Sequence, residues 1–229
     1  MIRVAKDDMG HDNGYLFMAT AKGTVKKTPV SDYSNIRTSG LIAINLDKDD
    51  ELRWIRHTNG EDEVIISTAM GQAIRFKETD ARPMGRAARG VRGIRLRSGD
   101  RVVGMDIADE NNKLLVISEN GYGKMTKAAN FPTHKRGGIG IKAAVVTAKT
   151  GELVTVRGLD GNDSEVLMIS TKGQAIRVAL KDIPTLGRTT QGVRVMRMND
   201  DDTVASIGII PEQPEEAEEA AVKEKPSAK

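Results

Sequence analysis

The chain repeats one sequence pattern four times, about every fifty residues. Each copy begins with an apolar strand, a turn glycine and a second strand that carries basic residues, as in GYLFMATAKGTVKKT and DEVIISTAMGQAIRFK. The turn glycines are Gly23, Gly71, Gly121 and Gly173, which are 48, 50 and 52 residues apart. A fixed period of this length is the signature of a repeat architecture in which each unit packs against its neighbours.

The second half of each copy is repeated as well. A loop that contains an arginine leads to a glycine and a further apolar strand, in IRTSGLIAINL, GRAARGVRGIRL, KRGGIGIKAAVV and GRTTQGVRVMRM, and a last strand such as LVTVRGL closes the copy. Short apolar runs joined by a glycine turn predict hairpins, so each copy predicts about four strands. The sequence therefore predicts an all-β, propeller-like array of four four-stranded blades. A solenoid is less suitable because its repeats are usually shorter.

The amino-acid composition limits the kinds of functional site that the chain can form. The chain has no cysteine, and its three histidines are far apart in sequence, so the sequence predicts neither disulfides nor a metal site. It also contains no G-x-x-x-x-G-K-[ST] phosphate loop, and no bound cofactor is expected. No apolar run approaches the roughly 18 residues of a membrane span, and the N-terminus lacks the order of a secretory signal. A cytoplasmic protein is the simplest interpretation.

The charge of the chain is unevenly distributed. Residues 211–229 hold six Glu and three Lys, a formal charge of −3, which leaves +6 on residues 1–210 of a chain whose net charge is +3. A basic body beside an acidic tail indicates a polyanionic partner and an internal competitor for it. The alternative is a disordered tail that only keeps the protein in solution.

Recurring cations are the candidate ligands for a polyanion. An arginine precedes the glycine that leads into each further strand (Gly40, Gly90, Gly140 and Gly192, called the strand glycines), at Arg37, Arg86, Arg136 and Arg188. Further candidates beside these loops are Arg89, Arg92, Lys135, Lys142 and Arg194, and candidates on the hairpins are Lys26, Lys27, Arg75, Lys124 and Arg177. Arginine binds phosphate through two parallel hydrogen bonds. The structural alternative is that each cation caps a turn or pairs with an acid of the next blade.

The mode of binding follows from what the sequence lacks. It predicts no recognition helix and no zinc finger, so base-specific recognition is not expected. Single-strand binding needs aromatic stacking platforms, and the chain has only seven aromatic residues, of which Phe17 and Trp54 fall in strands as core residues. If the polyanion is a nucleic acid, contacts to its phosphates are the mode that remains, and the sequence shows no candidate catalytic residue.

At this point the repeats resemble the C-terminal domain of the DNA gyrase A subunit. The resemblance rests on GTVKKTPVSDYSNIRTSGLIAINL, AIRFKETDARPMGRAARGVRGIRL, ENGYGKMT and GRTTQGVRVMRM, and covers about Gly14 to Ile210. It implies a β-pinwheel, in which neighbouring blades exchange strands, and a role in wrapping duplex DNA. The implied partners are the remaining A and B subunits of a bacterial, nucleoid-associated heterotetramer, which uses ATP and Mg elsewhere to introduce negative supercoils.

Three features depart from the family pattern: the number of blades, the signature box and the missing breakage–reunion region. The family has about six blades, and its signature box of Gln, cation, Arg, Gly, Gly, cation and Gly lies in the first one. Here a degenerate copy, HKRGGIG, occupies a late blade as His134, Lys135, Arg136, Gly137, Gly138, Ile139 and Gly140. The breakage–reunion region and its catalytic tyrosine are absent. The resemblance therefore implies a fragment that lacks the first blades.

The implied organisation has three parts. Residues 1–13 would hold a remnant strand of a preceding blade, and residues 211–229 a disordered tail. The domain would span 14–210, with blades at about 14–61, 62–111, 112–164 and 165–210. One rival is the equivalent domain of the topoisomerase IV A subunit, which shares the fold. The other, of a different class, is a propeller that serves as a protein-interaction scaffold and has an exposed apolar patch instead of a cationic rim.

Overall fold

The computed structural model describes residues 14–35 and 38–212. The expectations for the strand in residues 1–13, for Arg37 and for the tail from residue 213 onward lie outside this part of the chain. The first sheet contains β1 (Tyr15–Thr20), β2 (Thr24–Pro29), β3 (Leu52–Thr58) and β6 (Val91–Arg92), in the order β3-β1-β2-β6. All pairings in it are antiparallel.

Three further sheets follow. The second contains β4 (Glu63–Thr68), β5 (Gln72–Lys77), β7 (Val102–Ile107) and β10 (Ile141–Lys142). The third contains β8 (Lys113–Ser118), β9 (Tyr122–Lys127), β11 (Leu153–Leu159) and β14 (Val193–Arg194). The fourth contains β12 (Asp163–Ser170), β13 (Ala175–Ala179) and β15 (Val204–Pro211). Short 3₁₀ helices at Val30–Tyr33, Glu78–Asp80, Ala128–Asn130 and Leu180–Asp182 follow the second strand of each hairpin.

Neighbouring sheets exchange strands. Strand β6 belongs to the second repeat but pairs with β2 of the first, β10 pairs with β5, and β14 pairs with β9. Each exchanged strand is the outermost strand of its sheet. The all-β pinwheel expected from the sequence is thereby confirmed. Within the described residues the fourth sheet shows three strands.

The inner and outer edges of the sheets are distinct. Strand β7 packs against β3 on one side and β11 on the other, and β11 also packs against β15. These four strands therefore form the inner edges of the four sheets. Since the exchanged strands occupy the opposite edges, they form the outer rim of the array.

The core lies between the sheets, and both faces of the middle strands are buried. In β4, Val64 and Ile66 pack with Phe17 of the first sheet, while Ile65 packs with Leu114 of the third. Strands buried on both faces carry continuous apolar runs in place of alternating apolar and polar residues. Phe17 has no exposed surface, and its ring centroid lies 6.2 Å from that of Phe76, so its assignment to the core is confirmed.

An aspartate ties each of three hairpin turns to the inner strand. Asp50 accepts hydrogen bonds from the N–H groups of Lys22 and Glu51 at 2.9 and 2.8 Å. Asp100 accepts the equivalent pair of bonds in the second repeat, and Asp202 does so in the fourth. The carboxylates satisfy N–H groups that the strands leave unpaired, and so they fix the turns at one end of the array.

Candidate nucleic-acid interface

Three exposed cations occupy equivalent positions on the outer rim. Arg92, Lys142 and Arg194 each lie two residues after a strand glycine, on β6, β10 and β14. They stand opposite Thr24, Gln72 and Tyr122, the first residue after the turn glycine of the receiving hairpin. Equal register on three exchanged strands turns the three side chains to the same face. We call these three residues the rim row.

The glycine before each rim strand lets the two blades approach closely. Gly192 has φ +85°, and a Cβ atom there would lie 2.5 Å from the carbonyl oxygen of Gly123 on the receiving strand. Only a residue without a side chain fits this approach and this backbone conformation. The glycine that recurs in every copy therefore positions the cation two residues later.

The described loop arginines, Arg86, Arg136 and Arg188, are half-buried, and the last two bind backbone carbonyls. Arg136 donates from Nε to the carbonyl of Asp80 at 2.8 Å and from Nη1 to that of Arg92 at 2.9 Å. Arg188 donates to the carbonyl of Lys142 and lies over the ring of Phe131, with 5.9 Å between Cζ and the centroid. Both guanidinium groups thus connect a loop to the preceding blade. Arg86 is also half-buried, and its carbonyl accepts a hydrogen bond from the ammonium of Lys26.

Two hairpin cations form buried ion pairs. The ammonium of Lys27 lies 3.0 Å from the carboxylate of Glu78, and both side chains are almost fully buried. Arg75 pairs with Glu63, and its Nη2 lies 3.2 Å from the carboxylate of Glu110. Pairing with a carboxylate offsets much of the cost of burying a charge. The structure therefore brings Lys27 and Arg75 into the interior, away from the rim row.

Two more hairpin cations, Lys26 and Lys124, are buried beneath loops of the next blade. Lys124 donates to the carbonyls of Gly187, Arg188 and Thr190 at 2.9, 2.7 and 3.1 Å. Burial, together with the nearby charge of Arg188, lowers the pKa of Lys124 to about 8. Burial likewise lowers the pKa of Lys26. These two ammonium groups are positioned to hold loops rather than to meet a ligand from solvent.

The other predicted cations are exposed and have acidic neighbours. Arg89 pairs with Asp47, and Arg177 pairs with Glu165. Lys135 lies 3.2 Å from the carboxylate of Asp80. Exposed pairs of this kind contribute little to stability, so a phosphate can replace the carboxylate at small cost.

The HKRGGIG loop, His134–Gly140, forms a joint between two blades. The N–H of His134 donates to the carbonyl of Arg75 at 2.8 Å, and the N–H of Gly137 donates to that of Gly93 at 2.6 Å. These two N–H groups therefore bind the protein and are not available to a phosphate. Lys135 and Ile139 remain exposed beside the rim.

The structure adds two cations that the sequence analysis did not select. Arg95 and Arg197 lie three residues after Arg92 and Arg194, and both are exposed. Lys22, Arg89, Arg92 and Arg95 line one groove at the rim between the first two blades. The sequence could have indicated both arginines, since each stands five residues after a strand glycine.

Comparison with known proteins agrees with this geometry. The family model described as DNA gyrase C-terminal domain, beta-propeller, matches residues 14–59, 62–109, 112–158 and 164–211. The chain belongs to this family. Its four matches are four successive repeats, and each repeat contains one of the four hairpins.

Individual relatives give the same assignment. The DNA gyrase A subunit of Staphylococcus epidermidis is 40% identical over 212 residues, which are 92% of this chain and 24% of that protein. The chain thus spans about a quarter of the length of its curated relatives. Among solved structures, a DNA gyrase A C-terminal domain superposes with a TM-score of 0.76 at 28% identity. The superposition covers 87% of this chain and 67% of the chain of that domain.

The corresponding domain of a second type of topoisomerase is also similar in structure. The C-terminal domain of DNA topoisomerase IV superposes with a TM-score of 0.82 at 26% identity, and the superposition covers 93% of this chain and 66% of that domain.

Within residues 14–35 and 38–212, no helix is long and apolar enough to cross a membrane. The same residues contain no group of three His, Asp or Glu side chains that could hold a metal ion.

Proposed function

We propose that this pinwheel binds duplex DNA along its outer rim, without regard to sequence, and bends it. The rim row is the observation that carries the proposal, because one exposed cation recurs on each exchanged strand. Membership of the gyrase C-terminal domain family supports it. A duplex carries one phosphate per roughly 1.7 Å of its axis, so a curved surface that follows it needs cations at regular intervals.

The kind of contact follows from the side chains at the rim. The guanidinium groups of Arg92 and Arg194 can each donate two parallel hydrogen bonds to a phosphate, and Lys142 supplies a point charge. Strands and 3₁₀ helices are the only elements among the described residues, so no α-helix is available there to enter a groove. Phosphate contacts position a duplex without reading bases. Bending a site of 20–30 base pairs by 40–90° costs on the order of 1–6 kcal/mol, which several such contacts can offset.

We further propose that the domain acts within the gyrase heterotetramer of A and B subunits, in the bacterial cytoplasm at the nucleoid. In that assembly, ATP-driven strand passage would occur elsewhere and the domain would present the wrapped duplex. Topoisomerase IV is the alternative assembly, which the similarity to its C-terminal domain supports. A protein-interaction scaffold is less well supported, since the rim positions carry cations rather than an apolar patch.

A salt titration of duplex binding tests the proposal. The logarithm of the binding constant should fall linearly with the logarithm of the salt concentration, by about 0.9 for each phosphate contact. The triple variant Arg92→Glu, Lys142→Glu, Arg194→Glu should bind more weakly and show a slope smaller by about 0.9 for each cation removed. Two duplexes of unrelated sequence should give the same values.

A matched variant controls for net charge. Arg53→Glu, Lys113→Glu and Arg157→Glu make the same change in charge at exposed positions on β3, β8 and β11, away from the rim. This control should keep most of the slope of the unmodified chain. Equal losses in the two triple variants, or a binding constant that does not change with salt, would overturn the proposal.

A further inference from the structure

The third repeat departs from the other three at the turn that leads into its inner strand, β11. The other strand glycines stand 12 residues before the first residue of the inner strand, whereas Gly140 stands 13 residues before Leu153. The aspartate that fixes the other three turns, two residues before the inner strand, is replaced here by Gly151. The turn 147–151 is therefore one residue longer and is held by different contacts.

Asn120, the residue before the turn glycine of the third hairpin, provides these contacts. Its backbone N–H donates to the carbonyl of Thr150 at 3.0 Å. Its side-chain amide donates to the carbonyls of Ala148 and Lys149 at 3.2 and 3.1 Å. The amide of Asn120 thus fixes the backbone of Lys149 beside the third hairpin. In the other hairpins the turn aspartate instead accepts the N–H of the corresponding residue, which is Lys22, Met70 or Lys172.

The ring of Tyr122, the residue after the turn glycine, contacts two cations. The Nζ atom of Lys149 lies 5.4 Å from the ring centroid. Arg194 of the rim row lies over the same ring, with Cζ 5.7 Å from the centroid, and its Nη2 donates to the hydroxyl oxygen at 3.3 Å. Both distances fall within the roughly 6 Å over which a cation and an aromatic ring attract each other. Only 8% of Tyr122 is exposed, so the fold holds the ring that holds the two cations.

This arrangement distinguishes the third hairpin from the first two. The residues opposite Arg92 and Lys142 on the receiving strands are Thr24 and Gln72, which have no aromatic ring. The three members of the rim row therefore share a position on the exchanged strands but differ in what supports them. Arg194 alone has an aromatic ring opposite it and a second cation on that ring.

The two cations at Tyr122 are available to an anion. Neither Lys149 nor Arg194 forms an ion pair with a carboxylate among the described residues. The hydrogen bond from Arg194, together with the charges of both cations, outweighs burial and lowers the pKa of the Tyr122 hydroxyl. An unneutralised pair of cations attracts an anion. Because the ring already orders both side chains, binding loses less of their conformational freedom.

We propose that Tyr122, Arg194 and Lys149 form a two-cation phosphate site, in which both cations bind the backbone of a duplex and Tyr122 positions them. This inference rests on the proposed function and adds Lys149, which lies outside the rim row, as a DNA ligand. Arg194 supplies a planar fork for phosphate oxygens and Lys149 a point charge. The third hairpin therefore holds the duplex more tightly than the second, where Lys142 faces Gln72.

Replacement of each cation tests whether both bind DNA. Lys149→Met and Arg194→Met should each weaken binding of a duplex and lower the slope of the salt titration by about 0.9. Lys113→Met is the matched control, because it removes an exposed lysine from the far end of β8 in the same sheet. The control should leave the binding constant and the slope unchanged.

Replacement of the tyrosine tests its role as the positioning residue. Tyr122→Gln introduces the residue that the second hairpin has at this place, and it keeps both cations. Binding should weaken about tenfold with little change of slope, because two free side chains must then be ordered by the DNA. Tyr122→Phe keeps the ring and should keep most of the affinity. In the double variant Lys149→Met, Arg194→Met, the further change Tyr122→Gln should have no effect, which a purely structural role would not give.

Carbon-13 NMR of the chain with tyrosine labelled at Cζ gives a readout at the site itself. A bound phosphate disfavours the anionic form of a neighbouring phenol, so DNA should raise the pKa of Tyr122. The spectrum of Tyr122→Phe identifies the signal, and the other tyrosine signals should not move.

The outcomes separate this site from the proposed function. If the unmodified chain shows no salt-dependent binding of duplex DNA, both proposals are wrong. If it binds but Lys149→Met behaves like Lys113→Met, only the two-cation site is overturned. The same holds if Tyr122→Gln weakens binding equally with and without the two cations, or if DNA leaves the pKa of Tyr122 unchanged.

Discussion

Arg188 donates a hydrogen bond from its guanidinium group to the backbone carbonyl of Lys142, which belongs to the rim strand of the preceding repeat. Arg136 makes the same contact with the carbonyl of Arg92, at 2.9 Å, one blade earlier. The loop arginine of one blade thus holds the strand that presents the rim cation of the blade before it. The loop arginines therefore support the backbone of the rim strands, and the side chains of the rim row lie outermost.

This arrangement predicts different effects for the two layers. The double variant Arg136→Ala, Arg188→Ala should lower the free energy of unfolding by about 1–3 kcal/mol per residue, because a charged donor to a backbone carbonyl is lost at each site. Urea denaturation measures this change. The salt slope of DNA binding should change less than in the rim triple variant. A double variant of unchanged stability that loses the slope would show that these arginines contact DNA directly.

A pair of glycine substitutions tests the close approach of the exchanged strands. Gly192 and Gly40 both have positive φ, +85° and +77°. Alanine in this conformation costs roughly 1–2 kcal/mol at either site. Only Gly192→Ala also places a Cβ atom 2.5 Å from the carbonyl of Gly123, since the space around Gly40 is open. Gly192→Ala should therefore lower the stability in urea by clearly more than Gly40→Ala, and equal losses would contradict the strand contact.

The fold could be predicted from the sequence because the repeat is regular. The spacing of Gly90, Gly140 and Gly192 located the strands that the structure shows to be exchanged, and the turn glycines located the four hairpins. Strand exchange itself came only from the family resemblance, since no local pattern states which blade a strand joins.

The candidate site could be predicted only in part. Lys26 and Lys27 are adjacent and look like one basic strand edge, yet both are buried, each for a different reason. Lys26 meets the carbonyls of Ala43 and Arg86, which are 17 and 60 residues away in sequence, and Lys27 meets Glu78. Such pairings depend on tertiary contacts that the sequence does not display. One signal was present, because the position of Lys26 is isoleucine in the second and fourth repeats, which indicates an inward-facing side chain.

Replacement of the buried lysine by an apolar side chain should destabilise the protein. Lys124→Met would leave the carbonyls of Gly187, Arg188 and Thr190 without this donor in the interior. An unpaired buried carbonyl costs about 1–3 kcal/mol, so the free energy of unfolding should fall by at least about 2 kcal/mol. Lys127→Met, at an exposed position on the same strand, should change it by no more than about 0.5 kcal/mol. Similar effects in the two variants would show that the carbonyls find other partners.

The turn aspartate of the fourth repeat predicts a dependence of stability on pH. Burial of Asp202 on its own raises its pKa, but hydrogen bonds from Ser170, Thr171 and the N–H groups of Lys172 and Thr203 outweigh it and lower the pKa to about 2. The usual value in an unfolded chain is about 3.9. Because the folded state holds the proton less tightly, this carboxylate stabilises the fold above about pH 4, and the stabilisation is lost as pH falls toward 2. Asp202→Asn should therefore lower the melting temperature strongly at pH 6 and progressively less between pH 4 and pH 2.

Asp201→Asn makes the same change in charge at the exposed neighbouring residue, whose φ of +57° suits asparagine, and it should have a small effect at every pH. A difference between wild type and Asp202→Asn that stays constant from pH 6 to pH 2.5 would show that the carboxylate charge does not hold the turn.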